Sequence, residues 1–463
     1  MLKGISVMIG ETVAAISTPK GKGGIAVIRV SGDKSRDVLS RCFVSKGKSP
    51  ADNPRRAIFG TIVDGAEEID TGIAVFFSEG ASFTGEDSFE ISCHGGVAVT
   101  QAVLSAVFRA GAVPAEAGEF TRRAFINGTL SLTEAEAVGR LIDADTESRR
   151  RLAANAAKGS LSEKTEGIRN SLLDALTALY AVIDYPDEDL GNEGEEEIGA
   201  ALEESIASLT ALLRTYRTGS AVADGVVTVI CGSPNCGKST LYNLLCGSEK
   251  AIVTDVAGTT RDTLWETVDA GGITLRLADT AGIRETADTV ESIGVDRARA
   301  SMMEADLIIS VFDGSRPLTK DEKELLSLLS EIDCAKIAVI NKSDREGFSA
   351  DESISLSNDK TVIMSAKYKE GEEALYSAIN ELFNADKLSL GHDAILWEAR
   401  HKATVENVIS LLSDARESLL MGDPCDAVCT LCESAVSELS LLDGRGVTED
   451  IVSRIFERFC VGK

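Results

Sequence analysis

The stretch that most constrains this chain is VVTVICGSPNCGKSTLYNLLC, Val226 to Cys246. A β-branched run, Val226 to Ile230, leads into Gly232, Gly237, Lys238 and Ser239, and then into an apolar-periodic helix. Strand, G-x-x-x-x-G-K-[ST] loop and helix are the parts of a phosphate-binding P-loop. Glycines let backbone N–H groups turn inward onto phosphate oxygens, and the helix N-terminus adds the positive end of its dipole. Lys238 is expected to reach the β/γ-phosphates, and Ser239 to offer its hydroxyl to Mg²⁺. The bland alternative is a glycine turn that binds nothing, and the sequence downstream argues against it.

Each further part that a guanine-nucleotide site needs arrives in order. Gly258-Thr259-Thr260-Arg261-Asp262 lies in a polar loop, where the Thr260 hydroxyl can close the Mg²⁺ shell. Strand Thr263–Val268, turn Asp269–Gly272 and strand Ile273–Ala278 form a hairpin ending in Asp279-Thr280-Ala281-Gly282. Asp279 would hold Mg²⁺ through water, and the Gly282 N–H would touch the γ-phosphate. After a buried strand, Leu307–Phe312, the strand Ile337–Ile340 runs into Asn341-Lys342-Ser343-Asp344. A carboxylate at Asp344 can accept both the ring N–H and the amino N–H of guanine. Adenine lacks that donor pair, and a buried carboxylate left unpaired discriminates by roughly 10³-fold or more. Ser365-Ala366-Lys367, after strand Thr361–Met364, would support the guanine carbonyl. GTP, not ATP, is the expected ligand.

The hydrolytic parts depart from the Ras-type template, in which a glutamine after the D-x-x-G glycine orients water. Ile283 stands there and cannot do so. Asn235, with loop carbonyls from Thr254 to Thr259, could hold a monovalent cation that acts electrostatically as an arginine finger does. Glu291 is the candidate to orient water. For each of these, a solvated polar loop residue is the competing reading.

At 463 residues the chain is too long for one core, so two or three domains are expected. A net charge of −27 removes non-specific attraction to a polyanion, so contact with nucleic acid needs a local patch, a partner, or both. No apolar run reaches the roughly 18 residues of a membrane span, and MLKGISVMIGETVAAIS lacks a signal-peptide layout. A soluble cytoplasmic protein is expected. The ten cysteines are scattered through apolar segments, as in a reducing compartment. Cys425, Cys429 and Cys432 share a helical face, which invites a metal reading, but core thiols are favoured because no nearby ligand completes a site.

Along the chain, Ile25–Val30, Ala57–Val63, Ile73–Phe77 and Phe89–Cys93 read as strands and Gln101–Arg109 as a helix. Thr133 with Glu136 reads as a capping box, followed by helix almost without break to Ile183. The triple arginine Arg149–Arg151 reads more readily as a solvated face than as a binding patch. Asp184–Glu197 reads as an acidic loop, followed by a helix from Ile198 to about Thr218. Helices return at His401–Met421, Asp426–Leu442 and Thr448–Phe459. The expected architecture is multidomain, α+β and α/β. Residues 1–120 form an α+β domain, 121–220 and 384–463 a discontinuous helical domain, and 221–383 an inserted Ras-like P-loop G domain.

IVTDVAGTTRD (Ile252–Asp262), DTAGIRE (Asp279–Glu285) and the terminal FCVGK (Phe459–Lys463) together resemble the bacterial tRNA modification GTPase MnmE (TrmE) family. TPKGKGGIAVIRVSG, FTGEDSFEISCHGG, GEFTRRAFINGTLSLTEAEAV and IDYPDEDL match the same pattern, so the resemblance covers the whole chain. It implies an N-terminal folate-binding domain that forms a homodimer, and a G domain whose potassium-dependent self-association activates hydrolysis. It also implies a heterotetramer with the flavoprotein MnmG (GidA). Together the two would add an aminomethyl-type group to C5 of a tRNA wobble uridine, with carbon from 5,10-methylene- or 5-formyl-tetrahydrofolate.

Carried over by motif, the GTP contacts fall on Asn235, Cys236, Gly237, Lys238, Ser239 and Thr240, and on Thr254, Asp255, Val256, Ala257, Gly258, Thr259 and Thr260. They continue on Asp279, Thr280, Ala281 and Gly282, on Asn341, Lys342, Ser343 and Asp344, and on Ser365, Ala366 and Lys367. The resemblance gives Mg²⁺ to Ser239 and Thr260, K⁺ to Asn235, Thr254, Val256 and Thr259, and water orientation to Glu291. Folate contacts map to Arg29, Glu90 and Lys463, and to Thr129, where a family lysine is replaced by a hydroxyl. Lys22 stands where many members have arginine. Cys460 is a candidate catalytic thiol, with a buried structural thiol as the alternative. Two other readings stay open: a GTP switch that binds rRNA during ribosome assembly, which would need a basic appendage, and a folate-dependent one-carbon transferase that GTP only regulates.

Overall fold

A computed structural model of the chain describes residues 11–184, 191–247, 251–252, 265–278, 301–383, 388–457 and 459–462. The chain divides into two compact units, Met1–Gly139 with Val436–Lys463, and Arg140–Ala435.

The first unit is built on strands β1 (Val13–Ile16), β2 (Ile25–Ser31), β3 (Phe43–Val44), β4 (Ile58–Asp64), β5 (Glu67–Phe77), β6 (Ser88–His94) and β7 (Val113–Pro114). Their order in the sheet is β3-β4-β5-β6-β2-β1-β7. Alternation decides the faces: β2 buries Ala26, Ile28 and Val30 while Val27 and Arg29 stay half-buried on the other side. Helices Ser35–Cys42 and Val97–Arg109 cover the first face, packing Val38, Leu39, Val103 and Val107 against Ile28, Ile62, Phe76 and Ile91. Helices on one face of a mostly antiparallel sheet make this an α+β unit. β5 begins at Glu67, earlier than the apolar run suggests, because its acidic start pairs with β4 across a bulge at Ile62/Val63. The capping box also moves. Ser131 and Glu134 cap each other, Glu134 N donating to Ser131 Oγ at 3.2 Å and Ser131 N to Glu134 Oε2 at 2.8 Å. Thr133 is instead buried inside helix Leu132–Asp143. Helix Glu449–Phe456 packs Val452 and Phe456 onto Phe125, Leu132 and Ala135.

The second unit carries β8 (Val226–Cys231), β9 (Ala251–Ile252), β10 (Trp265–Ala270), β11 (Ile273–Ala278), β12 (Leu307–Asp313), β13 (Ala335–Asn341) and β14 (Lys360–Ile363), in the order β14-β13-β12-β8-β11-β10-β9. β8, β11, β12, β13 and β14 run parallel, and β10 and β11 form the expected hairpin. Every residue of β12 is buried, as a strand covered on both faces requires. In such sheets ligands bind beyond the carboxyl ends of the strands. The P-loop follows β8 there, and Asn341 ends β13.

The helical stretches are more broken than the sequence suggests. Helix Leu132–Asp143 stops before Thr146, whose hydroxyl accepts from Arg149 N at 3.2 Å and starts helix Glu147–Ala156. The next, Ser160–Asp184, begins after Gly159. Part of the acidic stretch is helical: residues 191–197 open helix Gly191–Arg214, while 185–190 lie outside the described residues. Arg149 does not lie on a solvated face. It ion-pairs with Asp145 at 2.7 Å and its Nε donates to Val222 O at 3.2 Å, with its side chain 17% exposed. Helix Tyr216–Ala223 packs directly on the backbone of Leu396, and a Cβ at Gly219 would lie 1.9 Å from Leu396 O.

Candidate functional site

The P-loop turns sharply into helix Lys238–Cys246 through Gly237, at φ 111, and a Cβ there would lie 2.0 Å from Asn341 Nδ2. Only glycine gives the required backbone and room. Asn341, 4% exposed, uses that space: its Nδ2 donates to Cys236 O at 2.9 Å, and its Oδ1 accepts from Ala366 N at 3.0 Å. One buried amide thus ties together three segments that are remote in sequence. Lys238 Nζ donates to Gly232 O and Ser233 O, both at 2.8 Å, across the loop. Ser239 and Thr240 stay exposed at the helix start, and Asn235 is exposed with φ 63. The Cys236 side chain is fully buried, and burial pushes its thiol up, so this P-loop residue packs and does not react.

On the base side, Lys342 sits in the left-handed region with φ 68, and Ser343 N donates to Met364 O at 3.2 Å. Ser365 Oγ, fully buried, donates to Asp344 Oδ1 at 2.6 Å. That hydrogen bond is the main reason the Asp344 carboxyl is held below the usual carboxylate range, with Lys367 and Arg345 adding to it. Asp344 is therefore an ionised acceptor at neutral pH. Lys367 Nζ lies over the Tyr368 ring, 4.9 Å from its centroid. Thr254, Asp255, Val256, Ala257, Gly258, Thr259, Thr260, Asp279, Thr280, Ala281, Gly282 and Glu291 lie outside the described residues.

Sequence reading missed the layer behind Lys342. Its Nζ donates to Asp313 Oδ2 at 2.6 Å, and Arg316 joins Asp313 to the fully buried Glu322. The legible signal was the T-x-x-E of Thr319 and Glu322, a capping box at the start of helix Lys320–Glu331. Asp313 itself is only a polar residue ending an apolar strand, which no motif marks.

In the first unit, Arg29 and Glu90 are direct cross-strand partners on the open face of the sheet, with Arg29 Nε donating to Glu90 Oε1 at 2.9 Å. The guanidinium lies 5.5 Å from the Phe83 ring and 5.6 Å from the Phe120 ring. Thr129 Oγ1 donates to Ala124 O at 2.8 Å and to Phe83 O at 3.0 Å, so its hydroxyl proton is engaged by the chain's own backbone. A buried network unseen in the sequence holds these parts: Arg123 pairs with Glu119 at 2.6 Å and with Glu86 at 3.1 Å, and Glu86 accepts from Ser31 Oγ at 2.8 Å. The chain's tail reaches the same unit. Val461 bridges to Ala117, Gly118 N donates to Cys460 O at 3.4 Å, and Ser17 Oγ donates to Gly462 O at 2.9 Å. Cys460 is exposed, unlike Cys429 and Cys432, whose burial raises their thiols and which pack in the helical core. Lys463 lies outside the described residues.

A buried staple between P-loop and base loop, beside an ionised carboxylate at the carboxyl end of a parallel sheet, defines a guanine-nucleotide-binding G domain within a multidomain chain. Family models extend the assignment beyond that domain: residues 132–460 match the MnmE helical domain, and residues 12–129 match the N-terminus of the GTP-binding protein TrmE. The tRNA modification GTPase MnmE of Natranaerobius thermophilus is 39% identical over 460 residues, covering 98% of this chain and 100% of that one. Its counterparts in Lachnoclostridium phytofermentans and Thermotoga maritima are 40% and 38% identical, each covering 98% of this chain and 99% and 100% of theirs. The chain belongs to the MnmE family of tRNA modification GTPases. The G domain of the T. maritima FeoB iron transporter aligns over 34% of this chain and 97% of that one at 27% identity, with a TM-score of 0.26, too low to bear on the fold.

Proposed function

We propose that this chain hydrolyses GTP as one subunit of a complex that modifies C5 of the wobble uridine in certain tRNAs. The group added would be aminomethyl or carboxymethylaminomethyl, made with the flavoprotein MnmG. The observation that carries the nucleotide half of this reading is the Ser365–Asp344 pair beside the Asn341 staple, an arrangement suited to guanine's two adjacent donors.

The remaining roles follow from donor chemistry. Ser239, exposed at the start of the P-loop helix, offers the hard oxygen that Mg²⁺ prefers, with Thr260 as its second protein ligand. The exposed Asn235 amide suits K⁺, together with Thr254, Val256 and Thr259. These cations would neutralise charge that develops on the phosphates. Lys238 would add its ammonium, and Glu291 would orient water. Arg29, paired with Glu90 and flanked by Phe83 and Phe120, suits a flat ligand with carboxylates, as a tetrahydrofolate derivative is, with Thr129 and Lys463 as the further candidate contacts. Bound there, the folate would supply one carbon. Exposed Cys460, on the tail docked in the same unit, is the candidate nucleophile.

A homodimer through the first unit fits its open sheet face. There Phe59 and Ile25 are each 68% exposed and Ile73, cross-strand from Phe59, is 42% exposed, apolar surface that a second copy would cover. Ten unpaired cysteines fit a reducing cytoplasm. Among the described residues no helix is long and apolar enough to cross a membrane.

Cys460→Ser tests the modification half. The variant keeps shape but has a pKa far too high to ionise near neutrality. GTP hydrolysis in potassium should be unchanged, while the modified nucleoside disappears from tRNA of a strain carrying only the variant. Loss of hydrolysis as well would make Cys460 structural, and normal modification would remove the thiol from the chemistry.

A further inference from the structure

The base side of the nucleotide site rests on charges that lie outside every nucleotide-binding motif. β12 and β13 run in register to their ends, so Asp313 lies directly beside Asn341. Asp313 is 7% exposed and its oxygens are fully engaged. Oδ1 accepts from Ser315 Oγ at 2.6 Å and from Ser315 N at 3.1 Å, while Oδ2 accepts from Lys342 Nζ at 2.6 Å. Behind it, Arg316 Nε lies 3.7 Å from Oδ2, and the Arg316 guanidinium grips Glu322 through two contacts of 2.9 Å. Glu322 also accepts from Thr319 N at 2.8 Å. A line of alternating charges thus runs from Lys342 to the first turn of helix Lys320–Glu331.

We propose that Asp313 is a positioning residue for guanine recognition, and that it works by keeping the Lys342 ammonium away from Asp344. Lys342 and Asp344 are two residues apart in one loop, and Asp344 has a free oxygen beyond the one that Ser365 engages. A flexible lysine beside an ionised carboxylate would pair with it and occupy the acceptor that guanine needs. Asp313 is the competing carboxylate: more buried, already ordered by Ser315, and held at the end of β12 beside Asn341. With its ammonium tied there, Lys342 offers the base its apolar stem, which suits the flat face of a purine. Arg316 and Glu322 hold the geometry by fixing the strand end to a capped helix. The inference rests on the reading of Asp344 as the guanine acceptor.

The test is nucleotide affinity in a double-mutant cycle on the full chain. Asp313→Asn keeps the shape, but with Oδ1 committed to Ser315 it turns an amide N–H₂ toward Lys342. It should weaken GDP and GTP by the same factor, about ten-fold, raising KM and leaving kcat unchanged. Lys342→Met removes the ammonium that Asp313 controls, so adding Asp313→Asn to it should cost almost nothing more. Wild-type affinity in Asp313→Asn would overturn the proposal, as would additive losses in the double variant, which mark a merely structural residue. Should Asp313→Asn fail to fold, Ser315→Ala removes one of the bonds that order the carboxylate while the Ser315 N bond to Oδ1 remains, and should weaken both nucleotides about two- to three-fold, less than Asp313→Asn because Asp313 keeps its charge; no change would again overturn it. Asp344→Asn, titrated alongside, reports separately on the underlying reading, because unchanged GTP affinity there would remove Asp344 from the site.

Discussion

Asn341 and Asp344 divide the base site between a buried amide and an exposed charge. Asn341 is committed to backbone on both sides, Cys236 O and Ala366 N, and so fixes where the loops stand. Asp344 is committed on one oxygen only, to Ser365, and that bond lowers its pKa below the ordinary carboxylate range. Its folded pKa lies below the ordinary value, so the acceptor is present throughout the neutral range and is lost only as pH falls through that lowered pKa. Asp344→Asn replaces an acceptor with a donor at one edge of the base. GTP affinity should fall roughly 10³-fold, and xanthosine triphosphate, whose ring carbonyl accepts from the new amide, should bind better than GTP. Titration of both nucleotides against the same variant checks this, and an unchanged preference would contradict it.

At the scale of elements, helix Tyr216–Ala223 is the joint between the helical part of the second unit and the chain that returns after the G domain. Thr215 Oγ1 accepts from Leu396 N at 3.0 Å, and Ile395 and Leu396 are buried against the helix. The close approach leaves no volume at Gly219, since the atom a Cβ would meet is backbone carbonyl and not the end of a flexible side chain. Gly219→Ala should therefore destabilise the protein by about 3 kcal/mol or more. Gly167, inside helix Ser160–Asp184, has nothing within 4 Å of its Cβ position. Gly167→Ala should instead stabilise by about 0.5–1 kcal/mol, because alanine loses less backbone entropy in a helix. Thermal unfolding of the two variants beside the parent decides it, and shifts of the same sign would contradict the packing argument.

For the whole molecule, the net charge of −27 and the absence of a water-orienting glutamine at Ile283 pose one electrostatic problem. Negative charge building on the phosphates during hydrolysis must be met by cations, and the described loop supplies Lys238 alone among ionised side chains. Beside the proposed Mg²⁺, a monovalent ion at the exposed Asn235 amide would add a further positive charge there. Hydrolysis in potassium should exceed hydrolysis in sodium at equal ionic strength by about ten-fold or more, and Asn235→Ala should erase that difference. Equal rates in the two salts would sink the potassium assignment. The same charge bears on tRNA. A polyanion gains nothing from the average field of this chain, so, if the proposed flavoprotein subunit supplies the tRNA contact, tRNA affinity should rise sharply when that subunit is added.

What the sequence alone determined is whatever short-range chemistry decides. The β-branched run, the glycines and the Lys-Ser of the P-loop specify strand, loop and helix within a few residues of one another. Asn341, Asp344 and Ser365 were legible because a guanine site is expected to need those groups in that order, and the structure brings the three together. Elsewhere local signals were shared between competing positions. Ser131 and Thr133 both suit an N-cap, and Ser131 took it because Thr133 was drawn into the core. The acidic stretch after Asp184 reads as loop by composition, yet its later part is helix because the segment that follows buries Leu202, Leu209 and Leu212. What only the tertiary structure decided are the pairings of charges remote in the chain. Asp313 meets Lys342, Arg123 meets Glu86, and Arg149 turns inward to Val222. In the sequence Asp313, Arg123, Glu86 and Arg149 carry no sign of these partners. Which charge meets which is set by strand order and helix placement, and these depend on the packing of the whole core and not on neighbours along the chain.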